Sequence, residues 1–190
     1  MIPKILQDVK NKGYRTFVNG SYNLNIIGVR SSSNISNKFD DEIHVVFKQD
    51  DKWVDLVFPI TTDPGLYWLE NPTRVEGTAI LCAGQYRSAY KLGLHRNSYE
   101  ALVQTGGTVK VYRDRNKDQV LDRAKDTIHS GFFGINIHRS SKSGESSAVN
   151  KWSAGCQVFK NVYDYNIFIA LCKKSAEIYG NGFTYTLLEK

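Results

Sequence analysis

Residues 43–58 read IHVVFKQDDKWVDLVF, and they carry the clearest indication of the fold. Two runs of β-branched and aromatic residues, Ile43–Lys48 and Trp53–Phe58, flank the polar cluster Gln49–Lys52. Two such runs joined by a short polar cluster are typical of a β-hairpin. The stretch therefore predicts a chain built mainly from β-strands.

Further strands are predicted on both sides of this hairpin. One precedes it at Asn25–Val29, and the others follow it at 78–82, 108–112, Ile135–His138 and Phe183–Leu188. The residues Thr61-Thr62-Asp63-Pro64-Gly65 predict a tight turn, because proline suits its second central position and glycine the positive φ after it. A short helix is expected around 97–104.

Two further helices are predicted, one near each end of the chain. Residues 2–12 place apolar side chains at helical spacing, and Gly13 ends the run. The longer helix begins after Asn161 as its N-cap and ends at Gly180, with Ile167, Phe168 and Ile178 on its apolar face. The predicted fold is mainly β (α+β), a single domain over 1–190, with one long C-terminal and one short N-terminal helix.

Composition excludes several classes of protein. The 190 residues are 41% hydrophobic, which excludes disorder for most of the chain. No stretch approaches the roughly 18 apolar residues of a membrane span. The 25 Lys and Arg against 19 Asp and Glu give a net charge of +6, which favours loose association with anionic surfaces. These basic residues are spread along the chain, so no specific nucleic-acid partner is expected.

The three cysteines differ in their surroundings. Cys172 falls on the apolar side of the long helix and Cys82 in a β-like run, so both are expected in the core. Cys156 instead ends the small-residue turn Ser153-Ala154-Gly155, which follows Trp152. Such a turn can aim backbone N–H groups at an oxyanion, and a nearby histidine can activate a thiol.

His138 ends the predicted strand Ile135–His138 and is the candidate base for Cys156. Two alternatives stay open from the residues alone. One is a small buried thiol beside a structural imidazole, and the other is a rival dyad of Cys82 with His95.

The segment resembles the catalytic domain of the L,D-transpeptidase (YkuD-type) family. That family's signature is a histidine, a gap, and then Ser/Thr-His-Gly-Cys; here His138 is followed by 14 residues and then Ser153-Ala154-Gly155-Cys156. Ala154 replaces the second histidine. The likeness extends over roughly residues 55–188, whereas residues 1–50 form an N-terminal extension that would bind wall, occlude the cleft or complete the core.

The resemblance implies an L,D-transpeptidase-like β-sandwich and a thioester acyl-enzyme on Cys156. His138 would be the general base, oriented by a backbone carbonyl. The amides of Gly155 and Cys156 would bind the oxyanion, and Ser153 would shape the turn. Arg139 and Trp152 are expected to contact substrate, with a solvated surface arginine as the alternative for Arg139. His129 is a further candidate for the cleft.

The implied substrate is the peptide stem of peptidoglycan. Loss of the second histidine at Ala154 favours water over an amine acceptor, and so favours a hydrolase over a cross-linking enzyme. The general pattern also resembles phage endolysins and cell-wall effectors. The start MIPKILQDVK lacks a signal peptide, so we expect synthesis in the cytosol and delivery by lysis or a secretion system. The alternative is a catalytically inactive structural or wall-binding module of a phage particle.

A second motif lies at residues 114–122, DRNKDQVLD. Asp114, Asn116, Asp118 and Asp122 supply oxygen ligands at the alternate spacing of a calcium loop, although Gln119 replaces the usual glycine. A structural calcium ion and a plain polar turn are the two interpretations. No organic cofactor is expected.

Overall fold

The computed structural model describes all 190 residues and contains eleven β-strands and three α-helices. The helices are α1 (Lys4–Asn11), α2 (Leu66–Glu70) and α3 (Val162–Tyr179). The strands are β1 (Asn25–Arg30), β2 (Asp41–Gln49), β3 (Lys52–Thr61), β4 (Thr78–Leu81), β5 (Gly84–His95), β6 (Tyr99–Val103), β7 (Val109–Asp114), β8 (His129–Gly131), β9 (Ile137–Arg139), β10 (Gln157–Phe159) and β11 (Phe183–Glu189). A 3₁₀ turn covers Lys125–Thr127.

Eight strands close into a barrel in the order β1-β11-β5-β6-β9-β10-β3-β2, and β4, β7 and β8 form a separate three-stranded sheet. The small sheet shares the barrel's core, because Leu81 and Val111 belong to the same apolar cluster as Ile43 and Tyr185. The prediction of a mainly β fold with a long C-terminal and a short N-terminal helix is therefore confirmed.

The hairpin predicted at residues 43–58 is the pair β2 and β3. The two strands are antiparallel, and Gln49 pairs with Lys52 at the turn. Asp50 and Asp51 both have left-handed φ, 48° and 61°, which a two-residue hairpin turn of the matching twist requires. The polar cluster therefore reverses the chain at the predicted place.

The first 50 residues complete the core. β1 lies between β11 and β2 in the barrel, parallel to the first and antiparallel to the second. Leu6 and Val9 of α1 pack on Ile27, Val29 and Val46 in a second apolar cluster. Removing this segment would therefore open the barrel and expose apolar surface.

The short helix predicted around 97–104 is wrong, because this segment is strand β6. β6 pairs with β5 along its whole length and with β9 at Leu102. Arg96, Asn97 and Ser98 form the turn between β5 and β6, and the first two have φ of 49° and 54°. Pairing on both sides buries Ala101 and Leu102 completely, and this outweighs the helical propensity of the local sequence.

Helix α3 begins and ends where the sequence predicts. The Asn161 side chain accepts a hydrogen bond from the Tyr163 N–H, and Gly180 follows the last turn with φ of 86°. Its buried face is rotated from the predicted one, because Ile167 and Ile178 are about half exposed. The residues that face the core are Val162, Tyr165, Phe168, Ile169, Cys172 and Ser175.

None of the helices combines the length and apolar character needed to cross a membrane.

Candidate active site

Cys156 ends a tight turn. The position before it, residue 155, accepts only glycine. Gly155 has φ of 118°, a region that side chains with a Cβ rarely adopt. A Cβ at Gly155 would also collide with the backbone carbonyl of Ala79 and lie 3.1 Å from the side chain of Ile135. The turn therefore presses the backbone before Cys156 against strand β4.

Ser153 holds this turn from inside. Its hydroxyl is fully buried, donates to the carbonyl of Cys156 at 2.8 Å, and accepts from the N–H of Gly155 at 3.1 Å. This corrects the expectation that the Gly155 amide binds the oxyanion, because that N–H already has an acceptor. The N–H of Cys156 has no acceptor in the protein, so it is a donor that this turn leaves free.

The Thr61–Gly65 segment supports the cysteine turn from the other side. The predicted positive φ at Gly65 is wrong, because Gly65 has φ of −78°, and a Cβ there would instead collide with the backbone of Asn150. The N–H of Gly65 donates to the carbonyl of Ser153 at 2.9 Å. The fully buried Arg30 donates to the hydroxyl and the carbonyl of Thr62 and lies 3.1 Å from the carboxylate of Asp63. A buried arginine paired in this way fixes the turn on which the cysteine segment rests.

His138 is buried on strand β9, with its Nδ1 atom 2.8 Å from the carbonyl oxygen of Arg139. A carbonyl oxygen only accepts, so Nδ1 carries a proton and Nε2 of the neutral ring is left as the basic nitrogen. The Tyr99 hydroxyl also lies 3.1 Å from Nδ1 and donates to the same carbonyl. The partner of Nδ1 is thus a backbone carbonyl, the kind of group expected to orient this ring.

Strand pairing brings the segment that carries Cys156 next to the strand that carries His138. β9 and β10 are parallel, and His138 pairs with Val158. Cys156 directly precedes β10, two residues before Val158. The thiol itself donates to the carbonyl of Gly134 at 3.4 Å and makes no hydrogen bond to the imidazole.

The resting pair is electrically neutral. Burial raises the pKa of the Cys156 thiol to about 11, although the nearby Arg96 opposes this. Burial, and next the adjacent His95, lower the pKa of His138 to about 3. The site at neutral pH therefore holds a thiol beside a neutral imidazole, which can take the thiol proton only during the attack.

His95 belongs to this site, which the sequence interpretation missed. Its ring stacks on the ring of His138, with centroids 4.0 Å apart. The Asn136 side-chain oxygen accepts from the N–H of Gln104 at 2.9 Å, so its amide nitrogen faces Nδ1 of His95 at 3.1 Å. This leaves the proton of neutral His95 on Nε2. The only local indication that His95 lies near His138 is Asn136, two residues before His138, and one asparagine is a weak indication.

The rival dyad of Cys82 and His95 is not brought together. His95 stacks on His138, whereas Cys82 follows β4 and lies beside Tyr112 and Arg30. Cys82 and Cys172 are both buried, as predicted for core residues. Cys156 is the partly exposed cysteine of the three.

The two residues expected to contact substrate lie in the same cavity as His138. Arg139 and Trp152 line, with His138, a cavity of about 460 Å³. The guanidinium of Arg139 lies 4.1 Å from the ring centroid of Tyr99, and Trp152 is 43% exposed. His129 is exposed on β8 and does not line this cavity.

In the candidate calcium loop, two of the three predicted carboxylates are bonded to the side chain of Asn116. The amide nitrogen of Asn116 donates to the carboxylates of Asp118 and Asp122 at 2.9 and 2.6 Å. Asp114 accepts from the N–H of Asp122, and its second oxygen is buried without a partner. No group of three or more His, Cys, Asp or Glu side chains is arranged to hold a metal ion.

No family model, curated protein or solved structure matches this chain.

Proposed function

We propose that the protein is a cysteine-nucleophile enzyme that acts on the peptide stems of peptidoglycan. The observation that carries the proposal is the pairing of β9 and β10. It places His138, whose Nδ1 is bonded to a backbone carbonyl, beside Val158, two residues after Cys156. A base with one nitrogen oriented and the other free, beside a thiol on a glycine turn, is the arrangement that acyl transfer needs.

The reaction has two steps. The Cys156 sulfur attacks the carbonyl carbon of the stem, Nε2 of His138 takes the thiol proton, and the Cys156 N–H stabilises the oxyanion. Expulsion of the amine, which takes the proton from His138, leaves a thioester. Water then attacks the thioester, His138 takes a proton from it, and release of the acid restores the thiol.

Hydrolysis is favoured over cross-linking. Ala154 offers no side-chain group to orient an incoming amine, whereas the family pattern has a histidine there. An L,D-carboxypeptidase or endopeptidase that degrades cell wall, as a phage endolysin or a delivered effector does, fits this site best. The family's sandwich fold belongs to the same proposal, since the barrel and the small sheet share one core.

The test is product analysis by mass spectrometry with defined muropeptides. Wild-type protein should release a shortened stem that has gained one water, and Cys156→Ala and His138→Ala should release none. The control is His129→Ala, which removes an exposed histidine outside the cavity. Equal products from wild type and Cys156→Ala would refute the proposal.

One observation favours a second candidate, an inactive structural or wall-binding module of a phage particle. The resting thiol is directed at the carbonyl of Gly134, and burial raises its pKa to about 11. Binding of muropeptides without any turnover, by wild type and Cys156→Ala alike, would establish this candidate. Turnover by wild type alone excludes it.

A structural calcium ion in the 114–122 loop is also part of the proposal. The unpartnered buried oxygen of Asp114 and the converging carboxylates of Asp118 and Asp122 support it. Rotation of the Asn116 amide would exchange its nitrogen for its oxygen and complete an oxygen set. The ion would hold the loop and take no part in the reaction.

A further inference from the structure

Two adjoining cavities form one groove beside His138. The cavity beside His138 and a second one of about 630 Å³ share Arg96, Lys151 and Trp152 in their walls. We call this surface the basic groove. Its lining includes four cationic side chains, Arg96, Arg139, Lys142 and Lys151.

The positive charge of the basic groove is not neutralised within the protein. Neither cavity has an Asp or Glu in its lining. None of the four cations takes part in any of the eight ion pairs of the structure. Since ordinary surfaces mix both signs of charge, four unpaired cations around one groove indicate an anionic ligand.

The walls of the groove hold two of these cations in place. Arg139 stacks over Tyr99, and the ammonium of Lys151 lies 4.1 Å from the ring centroid of Tyr67. Side chains held by aromatic rings lose less entropy when they bind a ligand.

We propose that the basic groove binds the free carboxylates of an acidic peptide and so delivers a neighbouring carbonyl to Cys156. This inference rests on the proposed function and adds the charge of the substrate. The ligand is a stem peptide whose carboxylates are free, in preference to the same peptide with those carboxylates amidated. Arginine suits such a ligand, because its planar fork bonds both oxygens of a carboxylate.

A short peptide fits better than a nucleic acid. The cations are confined to the walls of the two joined cavities, within reach of His138. Nucleic-acid binding uses basic residues along an extended track, with bases stacked on successive aromatic rings. The exposed face of Trp152 instead suits one apolar or sugar group beside the charged peptide.

The experiment uses two synthetic stem peptides that differ only in amidation of their side-branch carboxylates. Affinity is measured calorimetrically with Cys156→Ala, and turnover is measured with wild type. We expect the free-acid peptide to bind about tenfold more tightly than the amide, as one charged hydrogen-bonded pair supplies. Arg139→Gln and Lys151→Gln should each remove most of this preference. Lys12→Gln, an exposed lysine at the end of α1, is the control that keeps it.

The outcomes separate the two proposals. Equal affinity for both peptides, or no binding of either, overturns the basic groove as a carboxylate site, even where wild type turns them over. Preference for the free acid without any turnover supports carboxylate binding by the basic groove and counts against the proposed enzymatic activity. A single-stranded oligonucleotide that displaces the peptide, with affinity falling steeply with salt, would assign the groove to nucleic acid and overturn the inference.

Discussion

The imidazole rings of His95 and His138 stack with their centroids 4.0 Å apart and their planes 20° from parallel. Burial lowers the pKa of both rings, to about 4 for His95 and about 3 for His138, and the His95 ring contributes to the second value. Two imidazolium ions at this separation would repel each other strongly. Both rings therefore stay neutral at neutral pH, and His138 remains available as a base.

Stability should fall as the pH is lowered from about 6.5 toward 3, the range between the ordinary pKa of histidine and the lowered values. In this range the unfolded chain binds protons at both histidines and the folded protein does not, so acid favours unfolding. Asp41 opposes this in part, because burial raises its pKa to about 6 and the folded protein takes up its proton first.

Thermal melts of wild type and His95→Phe between pH 7.5 and 4 check this expectation. The variant keeps a stacked ring and loses one titrating group, so its melting temperature should depend less on pH. His129→Phe, at an exposed position, should retain the wild-type dependence. A melting temperature that stays constant or rises toward pH 4 would contradict the neutral stack.

Cys156 should react slowly with iodoacetamide at neutral pH. Its pKa of about 11 leaves far less thiolate than in a free cysteine, whose pKa is about 8.5. The rate should rise about tenfold per pH unit from pH 7 to 10, because only the thiolate reacts. Peptide mass spectrometry reads out the modified site. Cys82 and Cys172 are buried and should stay unmodified in the folded protein. A rate that levels off below pH 8 would show a preformed thiolate.

Gly155→Ala should destabilise the fold and abolish activity. The new Cβ collides with the Ala79 carbonyl, and φ of 118° adds backbone strain of about 1–3 kcal/mol. For a chain of this size each kcal/mol lowers the melting temperature by about 2–4 °C, so a loss of several degrees is expected. The control is Gly182→Ala, where a Cβ meets nothing within 4 Å. Equal melting temperatures for the two variants would disprove the steric account.

Calcium should raise the melting temperature, and EDTA should reverse the effect. At a free concentration about 100 times the dissociation constant, binding stabilises by about 2.7 kcal/mol, or roughly 5–10 °C here. Asp118→Asn should reduce the response, and Asp8→Asn on α1 should not. If millimolar calcium leaves the wild-type melting temperature unchanged, the loop is held by its hydrogen bonds without an ion.

Part of the site could be predicted because its signals are local. The Ser153–Cys156 turn, with a glycine before the thiol, and the strand that ends near His138 are short patterns along the chain. The position of His95 could not be predicted in this way. His95 reaches His138 only because β5, β6 and β9 pair in one sheet, across 42 residues of intervening chain. The helix prediction for residues 97–104 was wrong for the same reason, because pairing with strands on both sides makes this segment a strand.

The sequence by itself determined the features that depend on neighbouring residues. These are the β2–β3 hairpin, the ends of α3 and the glycine turn before Cys156, because φ preferences, capping and side-chain periodicity act over a few residues. Only the tertiary structure decided the closure of the barrel by β1 and β11, the engagement of the Gly155 amide by Ser153 and the collection of four cations in the basic groove. Those features join residues far apart in the chain, and their free energy comes from burial and pairing that no local pattern encodes.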